Sequence, residues 1–458
     1  MLTVADTAAD PDRQRARTER ADARALALHE RYRGKMQSFP KVPISGLDDF
    51  AVWYTPGVAA PCLAIAADPA SAYRYTNKGN TIAIVSNGTR VLGLGDIGPA
   101  AGLPVMEGKA LLFKYLGGVD AVPLCVDARS ADDLVRTVAA VAPSFGGINL
   151  EDIAQPMCFR VLAAARQRLT IPVWHDDQQG SATAVLAGLT NALSLVGKDL
   201  RRVRVALIGI GAANVSTYRL LQAAGADPGA IVACDSRGTL HRGRADIEAQ
   251  RAAFEEKWQV CCESNADGIV GGVDAALRGA DVCLAFAGSG PGIVTAAAVR
   301  AMNRDAIVFA CGNPIPEIWP DDARAAGARI VATGRSDFPN QVNNALVFPG
   351  LFRGVLDVQA SAITDEMALA AAHALASAIP RERLADDRIL PRLDDPVLAA
   401  DVAAAVGGAA QRQGLARVPW DAPRLHANAL AVIAQARAAT AALIESGTIA
   451  PIDGAEAQ

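Results

Sequence analysis

The sequence predicts an α/β chain of two units, an amino-terminal α/β domain and a doubly wound second domain, followed by carboxyl-terminal helices. Three observations carry that expectation. From Thr81 onward, short apolar runs set off by Gly and Pro alternate with helix-length segments, as a parallel sheet requires. A glycine turn at Gly209 and Gly211 joins one such run directly to a helix. The chain has 458 residues, about three times the ~150 of an ordinary domain.

The elements follow in order. Residues 1–20 are polar, with Pro11 among alternating Arg, Asp and Glu, and read as a flexible arm. A helix is expected from Asp22, as its N-cap, to about Arg33. The runs TIAIVS, RVLGLG, VDAVPLCVD, GGINL and IPVWHDD read as strands, with helices at about 108–116, 131–141 and 156–167 between them. The stretch 181–196 has helical spacing and connects to the second unit. There RVRVALIG, AIVACD, DVCLAFAG, AIVFACG and RIVATG supply five strands, and a helix follows Gly211 to about Ala224. The Ala-rich remainder is helical and is expected to pack back on the first domain. The divisions expected are 21–185, 186–400 and a helical extension over 401–458.

Composition narrows the function. Lys plus Arg is 44 against 48 for Asp plus Glu, a net charge of -4, without the basic excess that phosphate backbones attract, so nucleic acid is not expected as a partner. The eight cysteines form no CxxC pair and have mostly apolar neighbours, which reads as reduced core residues of a cytoplasmic protein. No signal peptide is recognised, and the stretch 425–444 is broken by Arg437, so no membrane span is expected.

Two constellations carry chemistry. In the first, Gly209, Gly211 and Asn214 follow a strand and open a helix, and Asp235 ends the next strand 26 residues on. The glycines allow a tight turn against a pyrophosphate at the helix N-terminus, and the acid can take a ribose hydroxyl pair. Asn214 stands where a third Gly is usual, and either widens the turn or touches the cofactor. Asp235 favours NAD over NADP by charge, while Arg237, Arg242 and Arg244 offset it or form a solvated loop face.

The second constellation is acidic. Glu151 and Asp152 follow GGINL, and Asp176 and Asp177 follow IPVWH, both at carboxyl ends of strands, where carboxylates repel unless a hard cation joins them. Neighbours on a strand point to opposite faces, so sharing one ion needs a turn at that point. Asp152 and Asp177 fit helix N-caps equally well. His175 beside Trp174 reads as a core residue. Lys109 in PVMEGKALLFK fits a buried base or a lysine snorkelling at a helix edge, and Tyr54 in YTPGV fits a general acid or a core phenol.

Taken together, KVPISGLDDFAVWYTPGVA, VLGLGDIGPAAGLPVMEGKALLFKYLGGVDAVPLCVD, GGINLEDIAQPMCF, IPVWHDDQQGSA, GNPIPEIWP and TGRSDFPNQVNNALVFPGLFRG resemble the malic enzyme family, of the short bacterial type, in family order over roughly residues 30–400. The resemblance implies a substrate domain and a Rossmann-like NAD(P)-binding domain. It implies that Glu151, Asp152 and Asp177 hold Mg²⁺ or Mn²⁺, that Lys109 is the base, that Asp176 tunes it, and that Tyr54 protonates the product enol. It implies Arg90, Asn313 and Asn344 at L-malate and the nicotinamide, with Asn313 also a cofactor contact. The turn Gly209, Gly211, Ala212, Ala213 and Asn214, with Asp235, would bind NAD, with NADP also possible. A homodimer or larger homo-oligomer is the family's habit.

Two departures stand out: DDQQGSA where DDQHGTA is usual, and GIGAAN where GAGAAG is usual. They motivate an alternative, a paralogue acting on another 2-hydroxy acid. A non-catalytic protein on the same fold is opposed by the retention of Lys109, Tyr54 and the three acids.

Overall fold

The computed structural model describes residues 11–288, 290–395 and 397–452. It opens with helix α1 (Pro11–Tyr32) and the short helices α2 (Phe50–Trp53), α3 (Ala59–Ala67) and α4 (Ala72–Tyr75). Residues 1–10 of the expected arm lie outside the described residues. Residues 11–20 form the first half of α1, which therefore starts well before Asp22. The reason is local: Arg, Gln, Glu and Ala are strong helix formers, and Pro11 sits at the helix start, where a missing N–H costs nothing.

The first sheet contains β1 (Thr81–Ser86), β2 (Asp120–Cys125), β3 (Gly147–Leu150) and β4 (Val173–His175), all parallel in the order β2-β1-β3-β4. Helices α5 (Pro99–Gly117), α6 (Ala131–Val141) and α7 (Met157–Arg168) make the crossovers. RVLGLG is not a strand. Leu92 takes φ +48 and Gly95 φ +79, and the Val91 N–H donates to the Gly95 carbonyl at 2.9 Å, so the run closes into a tight turn.

Helix α8 (Ser181–Val196) is buried over most of its length and leads to the second sheet. That sheet contains β5 (Val205–Ile208), β6 (Ile231–Asp235), β7 (Gly238–Thr239), β8 (Val282–Ala285), β9 (Ala306–Ala310) and β10 (Ala328–Thr333), in the order β10-β9-β8-β5-β6-β7. The short β7 is antiparallel to β6 and was not anticipated; it is a two-residue return after the turn at Asp235. The other five strands are the five expected. Strand order reverses at β5, where α9 (Ala212–Ala223) begins, and ligands of doubly wound sheets bind outside the carboxyl edge at such a point.

The chain returns to the first domain ahead of the expected boundary at 400. Phe348 and Phe352, on the helix Phe348–Asp357, stack on Phe113 of α5 with ring centroids 4.5 and 5.3 Å apart. That helix lies against the helix Leu398–Arg412 so closely that Cβ atoms on Gly350 and Gly354 would meet the Ala399 and Ala403 carbonyls at 2.6 and 2.4 Å. The helix Ala422–Glu445 is long and apolar enough to cross a membrane by length and composition. Here it packs through Leu425, Ala429, Ile433 and Ala436, and its Arg437 donates to the Tyr115 carbonyl of α5. Of the cysteines, Cys62 is exposed rather than in the core. A Gly354→Ala substitution meets main chain, which cannot rotate away, and should destabilise the protein by about 1–3 kcal/mol in chemical denaturation.

Candidate active site

The carboxyl edge of the first sheet gathers the acids. Glu151 continues β3, and Asp152 then takes φ +53, a left-handed turn that Asp tolerates better than most residues. That turn answers the strand-geometry objection, because it brings two sequence neighbours to one side. Asp176 and Asp177 open a π-type turn, Asp176–Gly180, at the end of β4. One carboxylate oxygen each from Glu151, Asp152 and Asp177 lies within 4.8 Å of the others.

Neither acid is a helix cap. The N-cap of α7 is Pro156 and that of α8 is Gly180, and Asp177 Oδ2 instead accepts the Asp152 N–H at 2.8 Å. Asp152 Oδ2 is buried without a hydrogen-bond partner. An orphaned oxygen beside two further carboxylates, all hard donors, fits Mg²⁺ or Mn²⁺. Arg90 stays exposed beside the trio, and its N–H donates to the Asp152 carbonyl at 3.1 Å.

Lys109 lies on the face of α5 that looks into this cluster and is 7% exposed. Its ammonium donates to Glu151 Oε1 at 2.5 Å and to Asp176 Oδ2, and it sits 4.5 Å from the centroid of the Phe348 ring. Burial pulls its pKa down, but Asp176, Glu151 and Asp177 outweigh burial and hold it above the ordinary lysine value. It is not a lysine snorkelling at the helix edge, and the carboxylates around it hold it protonated. The acids are raised as well, by burial and mutual repulsion: Glu151 is driven well above the usual carboxylate range, and Asp152 up to about 8.

Supporting contacts were missed in the sequence. Trp174 Nε1 donates to Asp176 Oδ1 at 2.9 Å, and Asn149 Nδ2 donates to Glu151 Oε2 at 2.9 Å, so each acid arrives already oriented. An Asn inside an otherwise apolar strand was the signal for the second; Phe348 carried none. His175 is fully buried, its pKa lowered to about 4 by burial, and stands 3.6 Å from Asp177 as a neutral ring. Asn344 packs beside Gly180 of the acidic turn, and Asn313, in the loop after β9, lies against Gly334 and next to Gly93 of the first domain. Tyr54 is not brought in. It is 69% exposed, with no hydrogen-bond partner to its phenol among the described residues.

The glycine turn is formed as expected, with one correction. Gly209 has φ +81, and a Cβ there would lie 2.5 Å from the Ala287 Cα, so only glycine fits. Gly211 caps α9, with Ala212 and Ala213 in its first turn. The Asn214 side chain, however, is fully buried, and its amide donates to the carbonyls of Ile208, Gly209 and Leu284 at 3.2, 2.7 and 3.1 Å. It ties β5 to β8 rather than reaching a cofactor. Glu317, also missed, is buried and accepts the N–H groups of Ala287 and Gly312 at 2.7 and 2.9 Å, fixing the loops beside the turn.

Asp235 is likewise not free. Arg244 grips it through two bonds of 3.0 Å and Lys257 through one of 2.5 Å. Against the upward push of burial, these hydrogen bonds hold its pKa below the usual value. Its charge is therefore neutralised, and the argument for NAD over NADP weakens. Of the three arginines, Arg244 is buried at this site, whereas Arg237 and Arg242 lie on the loop surface.

A metal-type carboxylate cluster facing a dinucleotide-type turn defines a two-domain dehydrogenase-like enzyme class. Residues 33–166 match the family model described as malic enzyme, N-terminal domain, and residues 178–411 that described as malic enzyme, NAD binding domain. The chain is 47% identical over 384 residues to an NAD-dependent malic enzyme of Geobacillus stearothermophilus, covering 84% of this chain and 78% of that protein. It is 46% identical over 401 residues to a bifunctional malic/malolactic enzyme of Bacillus subtilis, covering 87% and 95%. A crystal structure of the Entamoeba histolytica malic enzyme superposes with a TM-score of 0.93 at 43% identity, covering 97% of this chain and 93% of that one. The chain belongs to the malic enzyme family.

The raised carboxyl groups make a prediction about cation binding. A carboxyl whose folded pKa exceeds its ordinary 3.8 favours the fold when protonated, and that contribution is lost as pH rises through about 8. A cation must displace those protons. Mn²⁺ affinity should therefore rise as pH approaches about 8, with proton release, as measured by calorimetric titration in two buffers of different ionisation enthalpy.

Proposed function

We propose that this chain oxidises L-malate and decarboxylates the product to pyruvate and CO₂, with hydride passing to NAD(P)⁺. The observation that carries the reading is one buried lysine joined to a three-carboxylate oxygen cluster at the carboxyl edge of the first sheet. In this reading Glu151, Asp152 and Asp177 hold Mg²⁺ or Mn²⁺. The bound cation supplies Lewis acidity that polarises a 2-hydroxy acid and stabilises enolate charge. Arg90 receives a substrate carboxylate, and Asn313 and Asn344 orient substrate and nicotinamide.

Lys109 takes the hydroxyl proton as hydride leaves C2, and Asp176 keeps its amine aimed at that oxygen. Commitment of Glu151 and Asp177 to ligation removes two of the three carboxylates that hold Lys109 protonated, which favours the neutral amine the step needs. The oxaloacetate so formed is a β-keto acid and loses its C4 carboxylate. Tyr54 then protonates C3. Because Arg244 and Lys257 neutralise Asp235, NADP⁺ as well as NAD⁺ is accepted. Cytoplasmic location accompanies this reading.

The assembly proposed is a homodimer in which Tyr54 serves the second copy's site. The segment carrying it is tied at both ends to the amino-terminal edge of the first sheet: Lys41 pairs with Asp120 at the start of β2, and Lys78 donates to the carbonyls of Pro143 and Phe145 ahead of β3. The acids lie at the opposite edge. Between those ties, α2, α3 and α4 bury no residue, and Leu47, Val52, Trp53 and Leu63 are exposed. An apolar surface of this kind beside an unused catalytic phenol calls for a second copy.

With L-malate, Mn²⁺ and either coenzyme, reduced coenzyme and pyruvate should appear in equal amounts. Lys109→Ala should lower kcat by roughly 10²–10⁴-fold. No reduction from folded, Mn²⁺-binding protein would overturn the assignment. Mixing Tyr54→Phe with Lys109→Ala copies and letting subunits exchange should restore about one quarter of wild-type activity, because half of the dimers then hold one intact site. No recovery in verified mixed dimers would place Tyr54 in its own chain's site.

A further inference from the structure

Behind the acidic turn lies a cavity that the proposed reaction does not use. It measures 90 Å³ and is walled by α7, α8, α9, the π-type turn and the helix Asp365–Ser377, so both domains contribute to it. Two of its lining side chains carry buried nitrogen atoms without a hydrogen-bond partner, Arg166 Nη2 and Gln178 Nε2. Gln178 is 1% exposed. The plane of Arg166 is set by its Nε, which donates to the Val173 carbonyl at 3.3 Å, so Nη2 is a fixed donor rather than a mobile one. Ser216 and Arg219 of α9 also line the space, and Asp365 stands at its edge.

The unmatched atoms are all donors, and a buried donor left unmatched costs stability, so the complement is an acceptor. Two arginines against one aspartate leave a lining charge of +1, which matches a monoanion. Leu162 and Leu220 make the remaining wall apolar, which suits a carboxylate carried on a short carbon chain better than a fully polar oxyanion. We propose that this cavity is a binding site for a small monocarboxylate, with the carboxylate held by Arg166, Gln178 and Arg219. Gln178 directly follows Asp177, so a ligand gripping its amide also steadies the turn that carries a proposed metal ligand, and occupancy should tighten Mn²⁺ binding.

The test uses the full chain, with propionate as the probe and phosphate and chloride as comparisons at equal ionic strength, read by calorimetry and requiring no turnover. Saturable binding of one propionate per chain is expected, weakened on the order of tenfold or more in Arg219→Met and in Gln178→Met. Arg219 is exposed on the rim, so its variant should fold and keep its malate turnover in the absence of propionate. Propionate should also raise the affinity for Mn²⁺. Stronger binding of phosphate than of propionate would overturn the monocarboxylate in favour of an inorganic oxyanion. Propionate binding that is absent, or unchanged in both variants, or a crystal soak with only water on Arg166 and Gln178, would overturn the site. Unchanged Mn²⁺ affinity with propionate bound would overturn the coupling. A protein inert toward malate could still bind propionate, so the two failures are distinguishable.

Discussion

The Lys109 ammonium, sunk between Glu151 and Asp176 and resting on Phe348, is the interaction on which the rest of the structure depends. One cation faces four carboxylates, counting Asp152 and Asp177, and the sum of those five groups is −3 when all are ionised. Water is largely excluded from the cluster, so this imbalance is costly, and the chain moderates it by protonation when no cation is present. The same imbalance would favour a divalent cation at the cluster. The fold is arranged so that no partner can drift: α5 delivers the lysine, two strand ends deliver the acids, and a helix from beyond the second domain delivers the aromatic floor.

That last element explains the domain plan. The second sheet is inserted between the first domain and its own closing helices, so α5 is covered by residues more than two hundred positions further on. Glycines at 117, 350 and 354 allow the close approach of backbone that this covering needs. The insertion faces the glycine turn of β5 toward the first domain, and the near contact of Gly93 with Asn313 joins the two carboxyl edges directly.

Much of this was legible in the sequence. Parallel strands read well because both faces are buried and the runs are continuously apolar, as in β1, β5 and β9. Helices with strong caps or clear spacing, such as α6 and α8, read to the residue. RVLGLG misled because its apolar residues line a turn instead of a strand, a difference set by the φ of Leu92 and Gly95, which periodicity does not encode. The trio of acids could be suspected from position alone, but their convergence depends on the left-handed turn at Asp152. Partners supplied from afar, Phe348 to Lys109 and Glu317 to the loops of β8 and β9, leave no local pattern.

The departures from the family's usual wording bear on the alternative of a different 2-hydroxy acid. Gln179 is buried and bonded within the acidic turn. Its Oε1 accepts the His175 N–H at 3.1 Å, and its carbonyl accepts the Thr183 hydroxyl at 2.6 Å, so it braces the acidic turn from within. Asn214 likewise spends its amide on three backbone carbonyls beneath the glycine turn. Both replacements are therefore spent on holding the backbone that presents Asp177 and Gly209. Ser181 opens α8 directly after the acidic turn, and Ile210 is buried within the glycine turn. Lys109, Asp176 and the three acids are clustered together, with Arg90 beside them, as the proposed malate chemistry needs. The physical weight of the Gln179 and Asn214 replacements thus falls on how the site is held.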